Sequence, residues 1–288
     1  MVQLIASAPK GLTGQLRIWL NGRIYDDPRQ ASIAGTDHGL LVGDGVFETL
    51  KVTERGAFAV RRHLNRLSRS AAALGLPAPD HRQIREAIEA LLAGRDFPRA
   101  RLRITYTGGR GPLGSEAAYG PPTLIVAIAP ADAAAPLTSI VTAPWMRNEH
   151  GALTGVKSTS YAENVRGLGY AAQHQASEAI FLNTAGHVCE GTGTNIFVVF
   201  GDTVVTPPLS AGPLAGITRE LIMEWTAVEE RDLTLEDAKQ ADEVFLTSSM
   251  RDIQGVERWE DHIFSPVRPV TLALAATFAA RSETNLDP

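Results

Sequence analysis

The chain predicts an α+β fold in two domains. Strand-like alternation and helix-like stripes mix along it without the strict strand–helix–strand alternation that builds a parallel sheet. At 288 residues, 44% hydrophobic and 20% charged, it has the composition of a globular protein and enough length for two cores. The stretch "APADAAAPLT", Ala129–Thr138, is small, proline-punctuated and flanked by strand candidates. We read it as a linker between a domain at 1–128 and a second at 139–288.

The elements follow in order. "LRIWLNGRIY", Leu16–Tyr25, reads as a hairpin about Asn21-Gly22, a dipeptide that tolerates positive φ. Val46–Val52 and Ala57–Val60 form a second strand pair around "TERG". Val60, Leu64, Leu67, Ala71 and Leu74 recur at helical spacing, with Gly75 and Pro77 as the stop. A second helix begins after Asp80, with Gln83 placed for a capping box, and stripes Ile84, Ile88, Leu91 and Leu92 up to Gly94. Strands resume at Arg101–Thr107 and Pro122–Ile128. The second half is expected to hold a helix from Tyr161 to about Gln175, a hairpin in "EAIFLNTAGHVCE", and strands at Ile196–Phe200 and Thr203–Thr206. A helix over Thr218–Thr226, strands at Glu243–Ser248 and Ile253–Arg258, and a terminal helix over Pro269–Ala280 complete it.

Several function classes are disfavoured. A net charge of -5 without a basic run offers no electrostatic footprint for nucleic acid or an anionic membrane. The single cysteine, Cys189, can make no internal disulfide, and no Cys/His cluster has metal-ligand spacing. "MVQLIASAPK" lacks the basic and apolar regions of a leader, and no apolar run approaches a membrane span. The expectation is a cytoplasmic enzyme. "GRGPLG", Gly109–Gly114, fits the spacing of a dinucleotide fingerprint, but Pro112 and "SEAAYGPP" argue against the helix that loop must open.

Only four residues are lysine, and one lies in "TGVKSTSY" among hydroxyl side chains. A lysine amine becomes a nucleophile toward aldehydes when burial or positive charge lowers its pKa, and hydroxyls orient it without neutralising it. Taken alone, Lys157 reads better as a surface lysine at a helix mouth. "CEGTGTN" sets Glu190 after a strand, where an acid can hold a pyridine nitrogen protonated or simply meet water. "PLAGITREL" opens a helix with Gly216, Ile217 and Thr218, an anion site or an ordinary cap. Arg66 in "HLNRL" and the hydroxyls of "FLTSSMRD" are further phosphate donors or plain surface groups. Together these are a lysine for a Schiff base, an acid for a ring nitrogen, and donors for a phosphate, which describes a pyridoxal phosphate site.

The ordered motifs "DHGLLVGDGVFETLKV", "HLNRLSRSAAALGL", "GVKSTSYAENV", "SEAIFLNTAGHVCEGTGTNIFVV", "PLAGITREL" and "ADEVFLTSSMRDI" resemble the class IV aminotransferases, fold type IV enzymes that use pyridoxal 5′-phosphate. The likeness spans about Ile18 to Val270. It implies a small N-terminal α/β domain, a larger barrel-like C-terminal domain and a homodimer. It implies Lys157 as the catalytic Schiff-base residue and Glu190 on the pyridine nitrogen. Arg66, Ile217, Thr218 and Ser249 would hold the phosphate, Tyr161 would lie near the ring oxygen, and Leu214 would pack on the ring. Ser249 replaces the family's usual threonine and keeps the hydroxyl.

Within that family, "GDGVFETLKV" is closer to the D-amino acid enzymes and the lyases than to branched-chain L-enzymes, which usually carry Val-Phe-Glu-Gly. Arg110 is the first candidate for the substrate carboxylate, since a guanidinium fork matches two carboxylate oxygens; a solvated loop arginine is the other reading. Tyr106, Met250 and Arg251 complete the substrate candidates. The expected reaction moves an amino group from a D-amino acid, with (R)-amines as a further donor class, to a 2-oxo acid by a ping-pong scheme. An aminodeoxychorismate lyase and a branched-chain L-aminotransferase are the alternatives. "TGGRG" resembles the lyases' glycine-arginine loop, with Pro112 where they generally have tyrosine.

Overall fold

A computed structural model describes residues 16–94 and 97–288. The opening "MVQLIASAPK", read above for a leader, lies outside the described residues. Two compact units are resolved: one ends at Asp132 and also takes Ser158–Ser160, and the other comprises Ala133–Lys157 and Tyr161–Pro288.

The first unit is a six-stranded antiparallel sheet with helices against it. Its elements are β1 (Arg17–Leu20), β2 (Arg23–Tyr25), α1 (His38–Leu41), β3 (Gly45–Thr53), β4 (Gly56–Ala57), α2 (Val60–Ala73), α3 (His81–Leu92), β5 (Arg99–Thr107) and β6 (Thr123–Pro130). The strand order is β2-β1-β6-β5-β3-β4. Asn21 and Gly22 take positive φ and close the first hairpin as their residue types allow. The second expected pair is cut short: β4 has two residues, because Ala59 turns into the left-handed region and α2 starts at Val60. Along β3 the side-chain period of two puts Val46, Glu48, Leu50 and Val52 on one face, all fully buried. Leu64 and Leu67 of α2 and Ile84 and Leu91 of α3 fill that core. Asp80 caps α3 by accepting from the N–H groups of Arg82 and Gln83; the reciprocal half of a capping box is not made. Ser158 bridges to Val46, and the Thr159 N–H donates to the Gly45 carbonyl at 2.8 Å.

The second unit is built on β7 (Leu137–Arg147), α4 (Ala162–Gln173), β8 (Glu178–Asn183), β9 (Val188–Gly191), β10 (Asn195–Phe200), β11 (Thr203–Thr206) and α5 (Ile217–Trp225). It continues through β12 (Glu229–Glu230), α6 (Leu235–Lys239), β13 (Glu243–Ser248), β14 (Asp252–Trp259), β15 (His262–Ile263) and α7 (Pro269–Thr284). The strands run in the order β12-β11-β10-β13-β14-β7-β8-β9, with β15 on β14. β9 also lies against β10, so the sheet curls back toward its own start. Ile180, Val198, Val244, Leu246 and Trp259 form the inner core, and Val141, Ala143, Ala179 and Phe181 form a second under Ala171 of α4.

β6 extends to Pro130 and β7 begins at Leu137, so both enter the stretch expected to be a bare linker. α6 had no strong stripe in the sequence; its five residues are held by a complete capping box between Thr234 and Asp237. No helix follows Gly109–Gly114, as Pro112 predicts. No described helix is long and apolar enough to cross a membrane. Replacing Asp80 with alanine is expected to destabilise the first unit by about 1 kcal/mol. The urea midpoint should fall, and Asp80→Asn should keep most of it.

Candidate active site

In the second unit, β9 carries Glu190 one residue before its end, a position the short antiparallel pairing with β8 places beside Phe181. The side chain is nearly buried; Oε2 accepts from the Leu214 N–H at 2.9 Å. The Leu214 carbonyl in turn accepts from Asn195 Nδ2 at 2.8 Å. Two residues on, Gly216 approaches so closely that a Cβ there would sit 1.9 Å from Asn195 Oδ1. Only glycine fits, and it starts α5. No side chain caps that helix, so the N–H groups of its first turn, at buried Ile217 and Thr218, form a donor cluster at the positive end of the helix dipole. Asn195 pairs with Thr247 across β10 and β13, which carries the chain from there into the Ser249–Met250 turn.

Lys157 follows the Gly155 turn and is half-buried; its Nζ lies 5.8 Å from the Tyr161 ring centroid. The Tyr161 hydroxyl donates to the Thr192 carbonyl at 2.9 Å, and Asn164 Nδ2 donates to the same oxygen. Thr192 is fastened from its other side, where its hydroxyl donates to Glu178 Oε1. Arg251 Nη2 meets Glu178 Oε2 at 3.0 Å, and Nη1 bonds Gln254 Oε1 at 2.5 Å. Arg251, a substrate candidate in the sequence, is thus engaged with a buried acid. Met250 is half-buried in the turn before it.

The first unit holds the other candidates. Arg66 is buried, with Nε and Nη2 each 2.7 Å from the two oxygens of Glu48. His63 Nδ1 is 2.6 Å from the same carboxylate. Burial raises the Glu48 pKa, but Arg66 and His63 more than offset it and bring the group to about 2. Tyr106 faces the core opposite Val46, and burial pushes its phenol up. Arg110 is exposed on a loop with a pinned backbone. It bridges to Asp37, its carbonyl accepts from Tyr119 and Gly120, and the neighbouring Pro112 carbonyl bonds the His38 ring.

Residues 45–259 match the family model "Amino-transferase class IV". A Methanocaldococcus jannaschii protein bearing the name of a branched-chain-amino-acid aminotransferase is 33% identical over 83% of this chain and 86% of its own. The chain belongs to the class IV aminotransferases. The bifunctional aminodeoxychorismate lyase / D-amino acid transaminase of Mycobacterium tuberculosis is 29% identical over 81% of this chain and 87% of its own. A hypothetical aminotransferase from the same organism, solved in its PLP-bound form, superposes with a TM-score of 0.80 at 26% identity, covering 92% and 98% of the two chains. The fold is that of fold type IV enzymes, and this class IV aminotransferase is a pyridoxal-phosphate-dependent enzyme.

The residues of the second unit fit that cofactor. The uncapped start of α5 is a donor set for a phosphate, the cradle at Gly216 admits no side chain, Glu190 suits a ring nitrogen and Lys157 supplies the amine. Among the described residues no acidic or His/Cys cluster could hold a metal ion. Cys189, next to Glu190, is buried and its thiol is pushed up by burial and by that acid, which makes it inert as a nucleophile.

Two functional groups escaped the sequence. Arg147, at the end of β7, stacks over Phe181 at 4.5 Å with Nη2 3.8 Å from Glu190 Oε1. Its Nε and Nη2 have no hydrogen-bond partner among the described residues. Glu178 opens an otherwise apolar strand, and that lone acid before "AIFL" was its available signal.

The two buried acids pull stability in opposite directions with pH. Glu48 is depressed, so its contribution, on the order of 3 kcal/mol, is complete above about 4.5 and lost as pH falls toward 2. Glu48→Gln should melt lower at pH 7 and show a flatter acid limb in a melting-temperature titration. Glu178 is pushed up to about 7 by burial, which outweighs Arg251 and is reinforced by Glu190. Its stabilisation is complete below about 4.5 and lost as pH rises through 7. Glu178→Gln should therefore flatten the decline in melting temperature between pH 5 and 8; an unchanged decline would refute this assignment.

Proposed function

We propose that this class IV aminotransferase moves an amino group between a D-amino acid and a 2-oxo acid in two half-reactions, with (R)-amines as a further donor class. Arg110 carries the reading: its guanidinium is exposed on a pinned loop and has no side-chain partner among the described residues, whereas Arg251 is engaged by Glu178. A fixed fork of donors matches the α-carboxylate of an amino acid. Tyr106 and Met250 are proposed as further substrate-binding residues. The "GDGVFETLKV" motif and the D-amino acid transaminase activity named for the Mycobacterium relative support the handedness.

When bound, pyridoxal phosphate supplies an aldehyde that combines with amines and a ring that withdraws electrons from the donor's Cα. Lys157 would be the covalent anchor, and its Nζ would serve as the group that moves a proton at the donor's Cα. Glu190, held by the Leu214 N–H and facing Arg147, keeps a ring nitrogen protonated. The first turn of α5 at Ile217 and Thr218, with Ser249, would bind the phosphate, and Tyr161 and Leu214 would meet the ring; Arg66 is proposed as a further phosphate ligand. The reading includes a cytoplasmic homodimer, whose assembly is supported by exposed Met146, Val165 and Leu168 on the second unit.

A lyase is the second reading, favoured by the "TGGRG" loop and by the relative that carries both names. Visible absorbance of the purified protein separates the readings. Bleaching by D-alanine or D-glutamate and not by L-leucine is expected. Bleaching by L-leucine alone would move the assignment to branched-chain substrates. No bleaching, with 4-aminobenzoate released from aminodeoxychorismate, would establish the lyase. Lys157→Ala should lower turnover by at least roughly 10²–10⁴-fold.

A further inference from the structure

Glu178 and Arg251 have no part in the proposed reaction, yet they reach both of its ends. Arg251 closes the turn that carries Ser249 and Met250: its N–H lies 3.2 Å from both the carbonyl and the hydroxyl oxygen of Ser248. Its guanidinium is gripped by Glu178, Gln254 and Ser177. Gln254 continues the chain of bonds to the Ala135 carbonyl at 2.7 Å. Glu178, 1% exposed, holds Thr192, whose carbonyl accepts from both Tyr161 and Asn164. Gly191 makes room for this approach, since a Cβ there would lie 3.0 Å from Glu178 Cγ and 2.2 Å from Thr194 Oγ1.

We infer that Glu178 and Arg251 are positioning residues, a buried acid bonded to a partly exposed arginine, that fix the Ser248–Met250 turn against the Thr192 loop. The pair thereby holds the Ser249 and Tyr161 hydroxyls in one frame. This rests on the cofactor roles proposed above for Ser249 and Tyr161. Arg251 is poorly suited to grip a substrate, because its guanidinium is already engaged by Glu178, Gln254 and Ser177. Its contacts also lie in the strand framework, on residues that open β8 and run along β14.

The test uses the holoenzyme and the donor that bleaches it. For Arg251→Met, Arg251→Lys, Glu178→Gln and the Glu178→Gln/Arg251→Met double variant, the cofactor dissociation constant is measured from the protein-bound visible band, together with KM and kcat. A positioning pair predicts that Arg251→Met weakens cofactor binding on the order of tenfold and lowers kcat, with donor KM within about twofold. Arg251→Lys should recover most of the affinity, and the double variant should be no worse than the poorer single one. Cofactor affinity unchanged in Arg251→Met while donor KM rises tenfold would overturn the inference and make Arg251 a substrate-carboxylate group. Additive losses in the double variant would overturn it too. If Arg251→Met does not fold, Glu178→Gln decides by the same dissociation constant: weakened binding supports the pair and unchanged binding refutes it. The site reading fails separately, if Lys157→Ala still yields a band that borohydride traps on the protein.

Discussion

Leu214 is bonded on both sides of its peptide unit, and much of the site's geometry depends on that. Its N–H is fixed by Glu190 and its carbonyl by Asn195. One acid and one helix N-terminus, on elements far apart in sequence, therefore keep a set separation. Neither bond is strong alone, since a net hydrogen bond contributes about 1 kcal/mol. Their effect is geometric, because Gly216 can only begin α5 where Asn195 Oδ1 leaves no room for a Cβ. A site that must present a negative group and a positive helix end to one ligand needs such a spacer.

Charge burial follows the same logic of fixed partners. Glu48 sits on a strand face otherwise filled by Val46, Leu50 and Val52, and it is tolerated there only because α2 delivers Arg66 and His63 at hydrogen-bond distance. Removing charges from water is costly, and such a pair adds little net stability over apolar residues. What it supplies is direction: a guanidinium held by two bonds cannot rotate. Glu190 differs, since Arg147 stands 3.8 Å away, close enough for attraction and too far for a hydrogen bond.

Periodicity and turn chemistry made most of the fold legible. The α2 and α3 stripes, the Asn21-Gly22 turn and the strands around Val198 and Val244 all lie where side-chain spacing put them. Boundaries set by backbone strain were not visible: Ala59 entering the left-handed region truncates β4, and no side-chain pattern encodes that. The short α6 rests on a cap rather than a stripe and escaped for that reason. The motifs around Lys157, Glu190 and Gly216 were readable because each is local, a few residues with a distinctive chemical make-up. Arg147 and Glu178 were not, because their meaning comes from partners 43 and 73 residues away, as the separations of Arg147 from Glu190 and of Glu178 from Arg251 show.

The two arginines expected to meet substrate make the last point. Arg110 and Arg251 look alike in the sequence, each a single cation in a polar loop. Tertiary pairing separates them. Arg251 follows the end of β13, and its guanidinium meets the buried acid that opens β8, where the low dielectric makes an unpaired carboxylate far more costly than an unpaired surface arginine. The acid therefore recruits Arg251. Arg110 sits on a loop fixed by the His38 N–H on the Gly109 carbonyl, the Gly111 N–H on the Thr36 carbonyl, and the Tyr119 and Gly120 N–H groups on its own carbonyl, so its side chain is not needed to hold the loop in place. A loop that is rigid without its side chain is one that can commit that side chain to a ligand.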